Sequence, residues 1–237
     1  MRWVHLIQEI GWQIIQQEAG HNLRMTKALL VAGGGIAGMA TGLAVARAGW
    51  QATVFERAAE FSEVGAGVQL GPNVTRILQA WGLSNALKQV AAFPAGLHAR
   101  SMSTGEVLAT LPVKDAVQNY GAPYVTIHRA DLHCLLVQSA EREGVHVCSD
   151  AVVQGIQQAP DAVALEVMQH GQLQHHQAAV AVAADGVWSP LRQQLLGDGL
   201  PTFTGHIAYR ALVAQADLPV HLRSQDVSVW MGSQAHV

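Results

Sequence analysis

The chain has 237 residues, half of them apolar and 13% charged, with a formal net charge of −3. That length holds one large domain or parts of two, and the apolar share is enough for a substantial core. The mild acidity and the absence of any Lys/Arg cluster leave no electrostatic footprint for nucleic acid or an anionic membrane surface, so neither is expected as a partner.

Residues 1–24 have no basic stretch feeding an apolar core and so do not read as a signal peptide. Trp3, Leu6, Ile7, Ile10 and Ile14 would share one face of a short helix. The simpler expectation is an N-terminal tail, with the folded part starting at Met25.

The most specific signal follows at once. Ala28–Ala32 reads as a short apolar strand, Gly33, Gly35 and Gly38 form a G-x-G-x-x-G turn, and a helix runs on to Arg47-Ala48-Gly49. A second strand, Ala52–Phe55, ends on the acid Glu56. In a dinucleotide-binding unit the first glycine permits the tight turn and the second leaves room for a pyrophosphate. The third lets helix and strand pack closely, and the acid about twenty residues on accepts from a ribose. The helix N-terminus adds free N–H groups and a partial positive charge. The 19 uncharged residues from Ala28 to Ala46 are also long enough for a membrane span, and Gly34, Gly38 and Gly42 have G-x-x-x-G spacing. Three consecutive glycines would each cost such a helix about 1 kcal/mol relative to Ala. The strand–turn–helix–strand reading explains the glycines, the helix end and the acid together.

Downstream, Phe61–Asn73 is a Gly-rich loop, and Pro72 is placed to start a helix that reaches Trp81 and is closed by Gly82. Leu97–Ser101 and Val107–Leu111 read as a hairpin turning at Thr104-Gly105-Glu106. Tyr124–His128 reads as a strand, Asp131–Glu143 as a helix ended by Gly144, and Val145–Val147 as a return to the parallel pattern. Val152–Ile156, Ala162–Met168 and Leu173–Ala184 look like a meander that turns at His170-Gly171. Asp185–Arg192 leads into a short helix, and Gly205–Val213 and Val227–Met231 read as two more strands, the last leaving a sheet edge unpaired. Cys134 and Cys148 fit no C-x-x-C spacing and read as reduced, buried thiols of a cytoplasmic protein. The twelve histidines are scattered, with His175-His176 on a solvated strand, so no metal site is expected.

Four blocks in order carry a family resemblance: the glycine motif with Glu56-Arg57, the loop Gly65–Asn73, His128–His133 and Ala184–Arg192. Together they resemble the single-component flavin-dependent aromatic hydroxylases, typified by para-hydroxybenzoate and salicylate hydroxylases. Tyr120–Tyr124 and Thr204–Ala211 look most like members acting on a hydroxybenzoate. The resemblance implies an α/β fold: a Rossmann-like FAD-binding domain, parallel sheet plus β-meander, with part of a mixed or antiparallel substrate-binding sheet. FAD would be held by residues 25–200, interrupted near 95–125 by substrate-domain strands, with a second substrate-domain segment starting at 201. Glu56 would hold the adenosine ribose and Arg57 flank the adenine end. Val68 would pass near the flavin, and Arg129 would meet the phosphate and ribose region. Asp185 would link FAD to the reducing nicotinamide. His206 would be the base that helps remove the substrate's phenolic proton.

Two departures stand out. Ala183 occupies a position where the family usually carries glycine, and a second Gly-Asp motif is missing, as are the rest of the substrate sheet and the C-terminal helices. The chain therefore reads as an incomplete hydroxylase, expected to bind FAD weakly. The whole enzyme would use NADH or NADPH and O2 to hydroxylate a phenolic aromatic acid such as 3-hydroxybenzoate or salicylate, as a possible homodimer. Two alternatives stay open at this point, an NAD(P)-dependent Rossmann dehydrogenase and a non-catalytic FAD-binding remnant.

Overall fold

The computed structural model describes residues 27–61 and 66–237, so the expected tail of residues 1–24 lies outside the described residues. The chain opens with β1 (Ala28–Ala32), α1 (Ile36–Arg47), β2 (Gln51–Phe55), β3 (Gly67–Leu70), α2 (Pro72–Ala80) and α3 (Ser84–Val90). It continues through β4 (Ala91–Ala92), β5 (Gly96–Ser101), β6 (Val107–Pro112), α4 (Ala116–Tyr120), β7 (Val125–His128) and α5 (Arg129–Arg142). Then come β8 (His146–Cys148), β9 (Ala151–Ala159), β10 (Ala162–Gln169), β11 (Gln172–Ala178), β12 (Val180–Ala183), α6 (Pro190–Leu196) and β13 (Val227–Met231). The described residues form two compact units, 27–61 with 136–204 and 66–135 with 205–237.

In the first unit a four-stranded sheet runs β12-β1-β2-β8, parallel throughout. Both faces of β1 are covered, which is why it reads as an unbroken apolar run rather than an alternating one. Leu30 and Ala32 join Phe55, Ile156, Leu165, Val167 and Leu191 in a core cluster that the meander β9-β10-β11 and α6 close off. On the other face α1 lies close. A Cβ on Gly42 would sit 3.1 Å from Val54 Cγ2 and 3.2 Å from Val145 Cγ1, so glycine sets the helix–sheet spacing there. Arg47 at the end of α1 pairs with Glu143 just past α5.

The second unit holds two small sheets, β13-β5-β6 and β3-β7-β4. The β5–β6 hairpin is antiparallel, and β13 adds to it in parallel from Val227↔Leu97 to Met231↔Ser101. Asp226 fixes that register. Its Oδ1 accepts from the N–H groups of Ala95 (2.7 Å) and Gly96 (3.0 Å), and its Oδ2 lies 3.1 Å from His98 Nε2. The far ring nitrogen of His98 is 3.0 Å from Thr110 Oγ1 on β6, so one imidazole ties three strands together. The His98 hydrogen bond first, then those from Gly96 and Ala95, hold the Asp226 carboxyl below the usual carboxylate range.

The α/β architecture is as the sequence implies: parallel sheet, meander, and a mixed sheet elsewhere. Three local readings are corrected. Leu173–Ala184 is two strands, since the chain bends at Ala179; β11 closes the meander while β12 crosses to pair with β1. Gly205–Val213 is not a strand: 201–214 has no ladder partner among the described residues, and its side chains from Thr202 on are exposed. A strand exists only where a neighbour takes its N–H and C=O groups, and the apolar residues Ile207, Tyr209 and Leu212 have no sheet to face. Finally, Cys134 is exposed and Cys148 half-buried, although both are free thiols. Burial pushes the Cys148 thiol up, and its Sγ lies 3.3 Å from His146 Nδ1. No helix among the described residues is long and apolar enough to cross a membrane.

Candidate functional site

The glycine turn sits at the carboxyl end of β1, held on two sides. Gly33 N–H donates to the Phe55 carbonyl of β2 (2.8 Å), and Ala184 N–H, just past β12, donates to the Ala32 carbonyl (2.7 Å). Gly33 has φ +102°, and a Cβ there would overlap the Ala184 carbonyl oxygen, so both conformation and space require glycine. A Cβ on Gly38 would fall on the Gly33 carbonyl oxygen and crowd Val31 Cγ1 at 3.3 Å, so the first turn of α1 packs directly on the loop. Gly35 is different. It is the N-cap of α1, with φ −69° and ψ −175°, makes no side-chain cap, and a Cβ there would meet nothing within 4 Å. The N-terminus of α1 thus has no side-chain cap and open space beside Gly35, an arrangement suited to a phosphate.

Glu56 follows β2 on the same edge. Its Oε2 accepts from Gly34 N–H (2.7 Å) and its Oε1 from Ala58 N–H (2.9 Å). Each carboxylate oxygen has a second lone-pair direction, so acceptor capacity for ribose hydroxyls remains. Arg57 is exposed beside it.

Asp185 stands across the loop from β2. Its backbone presses on Gly33, and its Oδ2 is 3.5 Å from Leu191 N in the first turn of α6. The stronger cap of α6 is the buried Ser189, whose Oγ accepts from Arg192 N–H at 2.9 Å ahead of Pro190. Together with Ala37 of α1, Asp185, Gly186, Ser189 and Arg192 line a cleft of about 480 Å³. Ala183 also lines it; its methyl is exposed, so the departure from glycine crowds no backbone.

The other sequence candidates belong to the second unit. Val68 lies on β3 opposite Ile127 of β7, and Arg129 begins α5 with its N–H donated to the Ala66 carbonyl (2.8 Å). The edge strand β3 therefore brings Val68 and Arg129 to one small sheet. Burial raises the Tyr124 hydroxyl, which hydrogen-bonds Gln69 Oε1. His206 lies in the exposed, unpaired 201–214 segment and is not brought to any of these residues within its unit by a ladder. Sequence reasoning missed Gly34 and Ser189. The Ser189-Pro190 pair was a legible helix start, whereas Gly34 occupies a position at which the motif accepts any residue. Among the described residues no cluster of His, Cys, Asp and Glu suits a metal ion.

Comparison with known proteins gives three findings. The family described as "FAD binding domain" matches residues 25–236. The chain is 36% identical over 211 residues to 3-hydroxybenzoate 6-hydroxylase 1 of Aquipseudomonas alcaligenes, covering 88% of this chain and 53% of that protein. It is 39% identical over 210 residues to the 3-amino-4-hydroxybenzoate 2-monooxygenase PtmB3 of Streptomyces platensis, with 88% and 52% covered. The chain thus spans about half the length of the curated relatives it matches. Among solved structures, p-nitrophenol 4-monooxygenase PnpA of Pseudomonas putida DLL-E4 superposes with a TM-score of 0.67 at 22% identity, covering 72% of this chain and 44% of that one, a likeness of fold.

Proposed function

The chain belongs to the FAD binding domain family, and from that premise we propose that it is the FAD-binding portion of an NAD(P)H-dependent aromatic monooxygenase. The observation that carries the reading is the Gly35 opening: an uncapped helix N-terminus with free space above it, flanked by an acid that retains acceptor capacity. That donor and acceptor set fits the pyrophosphate and ribose of FAD. When bound, FAD supplies the redox chemistry that activates O2. The protein's own residues bind, orient and move protons.

In this reading Gly33 and Gly38 shape the loop, Gly35 admits the pyrophosphate and Glu56 takes the adenosine ribose, with Arg57 at the adenine end. Arg129 offers its guanidinium fork to the phosphate and ribose region, Val68 borders the flavin, and Asp185 stands between FAD and the reducing nicotinamide. Residues 25–200 form the cofactor-binding part, interrupted by substrate-domain strands near 95–125, and 201–237 begin a second substrate segment. The substrate is a phenolic aromatic acid, 3-hydroxybenzoate being the leading choice from the 36%-identical relative. His206 removes the phenolic proton: a phenol's pKa near 10 leaves it protonated at neutral pH, and imidazole is a suitable acceptor. The resulting charge falls on the ring carbon para to the hydroxyl, which for 3-hydroxybenzoate gives gentisate. A cytoplasmic location and a homodimer complete the proposal.

The test is NAD(P)H oxidation by the FAD-loaded protein, with product analysis, across a panel of phenolic acids. One acid should accelerate oxidation and be recovered with one added hydroxyl. FAD-loaded protein whose NAD(P)H oxidation no phenolic acid alters would contradict the assignment.

A further inference from the structure

Gly34 occupies the first free position of G-x-G-x-x-G, yet the space around it is closed. A Cβ there would lie 2.9 Å from Glu56 Cβ, 3.0 Å from Phe61 Cε1 and 3.1 Å from Glu56 Oε2. Glu56 Cβ is fixed to the end of β2, so it cannot swing aside as a side-chain tip would. The Gly34 N–H, meanwhile, donates to Glu56 Oε2 at 2.7 Å, and the other carboxylate oxygen is occupied by Ala58 N–H at 2.9 Å. The acid is thereby clamped at both oxygens to backbone, one of them the loop itself, with the Phe61 ring packed over the junction.

We propose that Glu56 is a positioning residue for the glycine loop as well as a ribose ligand, and that Gly34, Glu56 and Phe61 form one unit that pre-sets both the loop and the acceptor angle of the carboxylate. The proposal deepens the FAD reading above and rests on it only for the ligand. A charge-assisted N–H···carboxylate bond is short and strong, and here it removes rotamer freedom from Glu56 before any ligand arrives. A methyl group on Gly34 pushes Glu56 off this bond. It therefore lowers affinity for the adenosine end without occupying the space above Gly35 where the pyrophosphate enters.

Two measurements test it on the full chain. In the apoprotein, amide hydrogen exchange reads the clamp directly: the Gly34 amide should exchange slowly in wild type and at least tenfold faster in Glu56→Ala. In binding, titration with ADP and with FAD should show Gly34→Ala weakening both by about tenfold or more, and Phe61→Ala added to Gly34→Ala should recover part of the loss by giving the loop room to shift. Phe61→Ala alone, which leaves both backbone hydrogen bonds of Glu56 in place, should weaken binding less than Gly34→Ala does. Equal Gly34 exchange in wild type and Glu56→Ala would overturn the clamp, and a Gly34→Ala protein that binds ADP and FAD like wild type would overturn its role in binding. If wild type binds neither nucleotide, the FAD reading fails, and the exchange comparison still decides whether Glu56 holds the loop. Should Gly34→Ala not fold, the exchange comparison and the ADP affinity of Glu56→Gln decide instead. That variant keeps an oxygen for Gly34 but turns a donor toward Ala58, and wild-type affinity in it would count against the two-point clamp.

Discussion

Gly35→Asp should stabilise the apoprotein while abolishing cofactor binding, two effects of opposite sign from one side chain. Gly35 is the N-cap of α1 in extended backbone (φ −69°, ψ −175°), a conformation Asp adopts readily, and a Cβ there meets nothing within 4 Å. Asp is better than Gly at an N-cap by a few tenths of a kcal/mol. Its charge at the positive end of the helix contributes about 0.3–1 kcal/mol more. The sum, about 0.5–1 kcal/mol, corresponds to roughly 1–4 °C in Tm for a domain of this size. Against that, a carboxylate about 4 Å from a phosphate at an effective dielectric near 20 costs about 4 kcal/mol, or roughly a thousandfold in affinity. The assay pairs thermal unfolding of apoprotein with FAD titration by flavin fluorescence. A Gly35→Asp protein that binds FAD as wild type does would refute the assignment of the open N-cap as the phosphate site. One that loses several degrees of Tm would refute the structural account of Gly35.

Leu165 is fully buried in the cluster between the parallel sheet and the meander, so Leu165→Ala should cost about 2–5 kcal/mol, read from the urea midpoint at unchanged slope. The first unit should lose stability on acidification below pH 6.5. Burial first, then the charges of His146 and His175, hold His176 below its ordinary 6.5, where it rests on the Phe55 ring with centroids 4.7 Å apart. The unfolded chain therefore takes up that proton first, and stability present above pH 6.5 is lost as pH falls toward the folded-state value. Urea titrations of wild type and His176→Gln should diverge there, and parallel curves would contradict the argument. His206→Ala should lower the hydroxylation rate strongly at neutral pH, with partial recovery at high pH where the phenol ionises unaided; a wild-type rate at pH 7 would remove His206 from the mechanism.

The most legible part of the molecule was its most local part. From Ala28 to Glu56 the strand, turn, helix, strand and acid follow from near-neighbour sterics, and the structure places Gly33, Gly38 and Gly42 where a Cβ would meet backbone or packed side chains, while Gly35 faces open space. Legibility failed where a distant partner decides. Val180–Ala183 follows β11 with only Ala179 between them, and it is the edge of β1, distant in sequence, that draws it into another sheet. The 205–213 segment alternates like a strand but has no described neighbour to complete one. α4 (Ala116–Tyr120) was missed although Gly121, at φ +76°, is a helix-end signal. Five residues are too few for a periodicity to register. The tie between Gly34, Glu56 and Phe61 was invisible for a different reason: the motif leaves that position unconstrained, and what closes it is packing from 22 residues further along.

The measurement that bears most directly on the central claim is titration of the purified chain with FAD. The account predicts saturable FAD binding, read as a perturbed visible flavin spectrum of the protein in excess FAD, that is lost in Gly35→Asp while the fold persists. A wild-type protein that leaves the flavin spectrum unperturbed but binds NADH would contradict it.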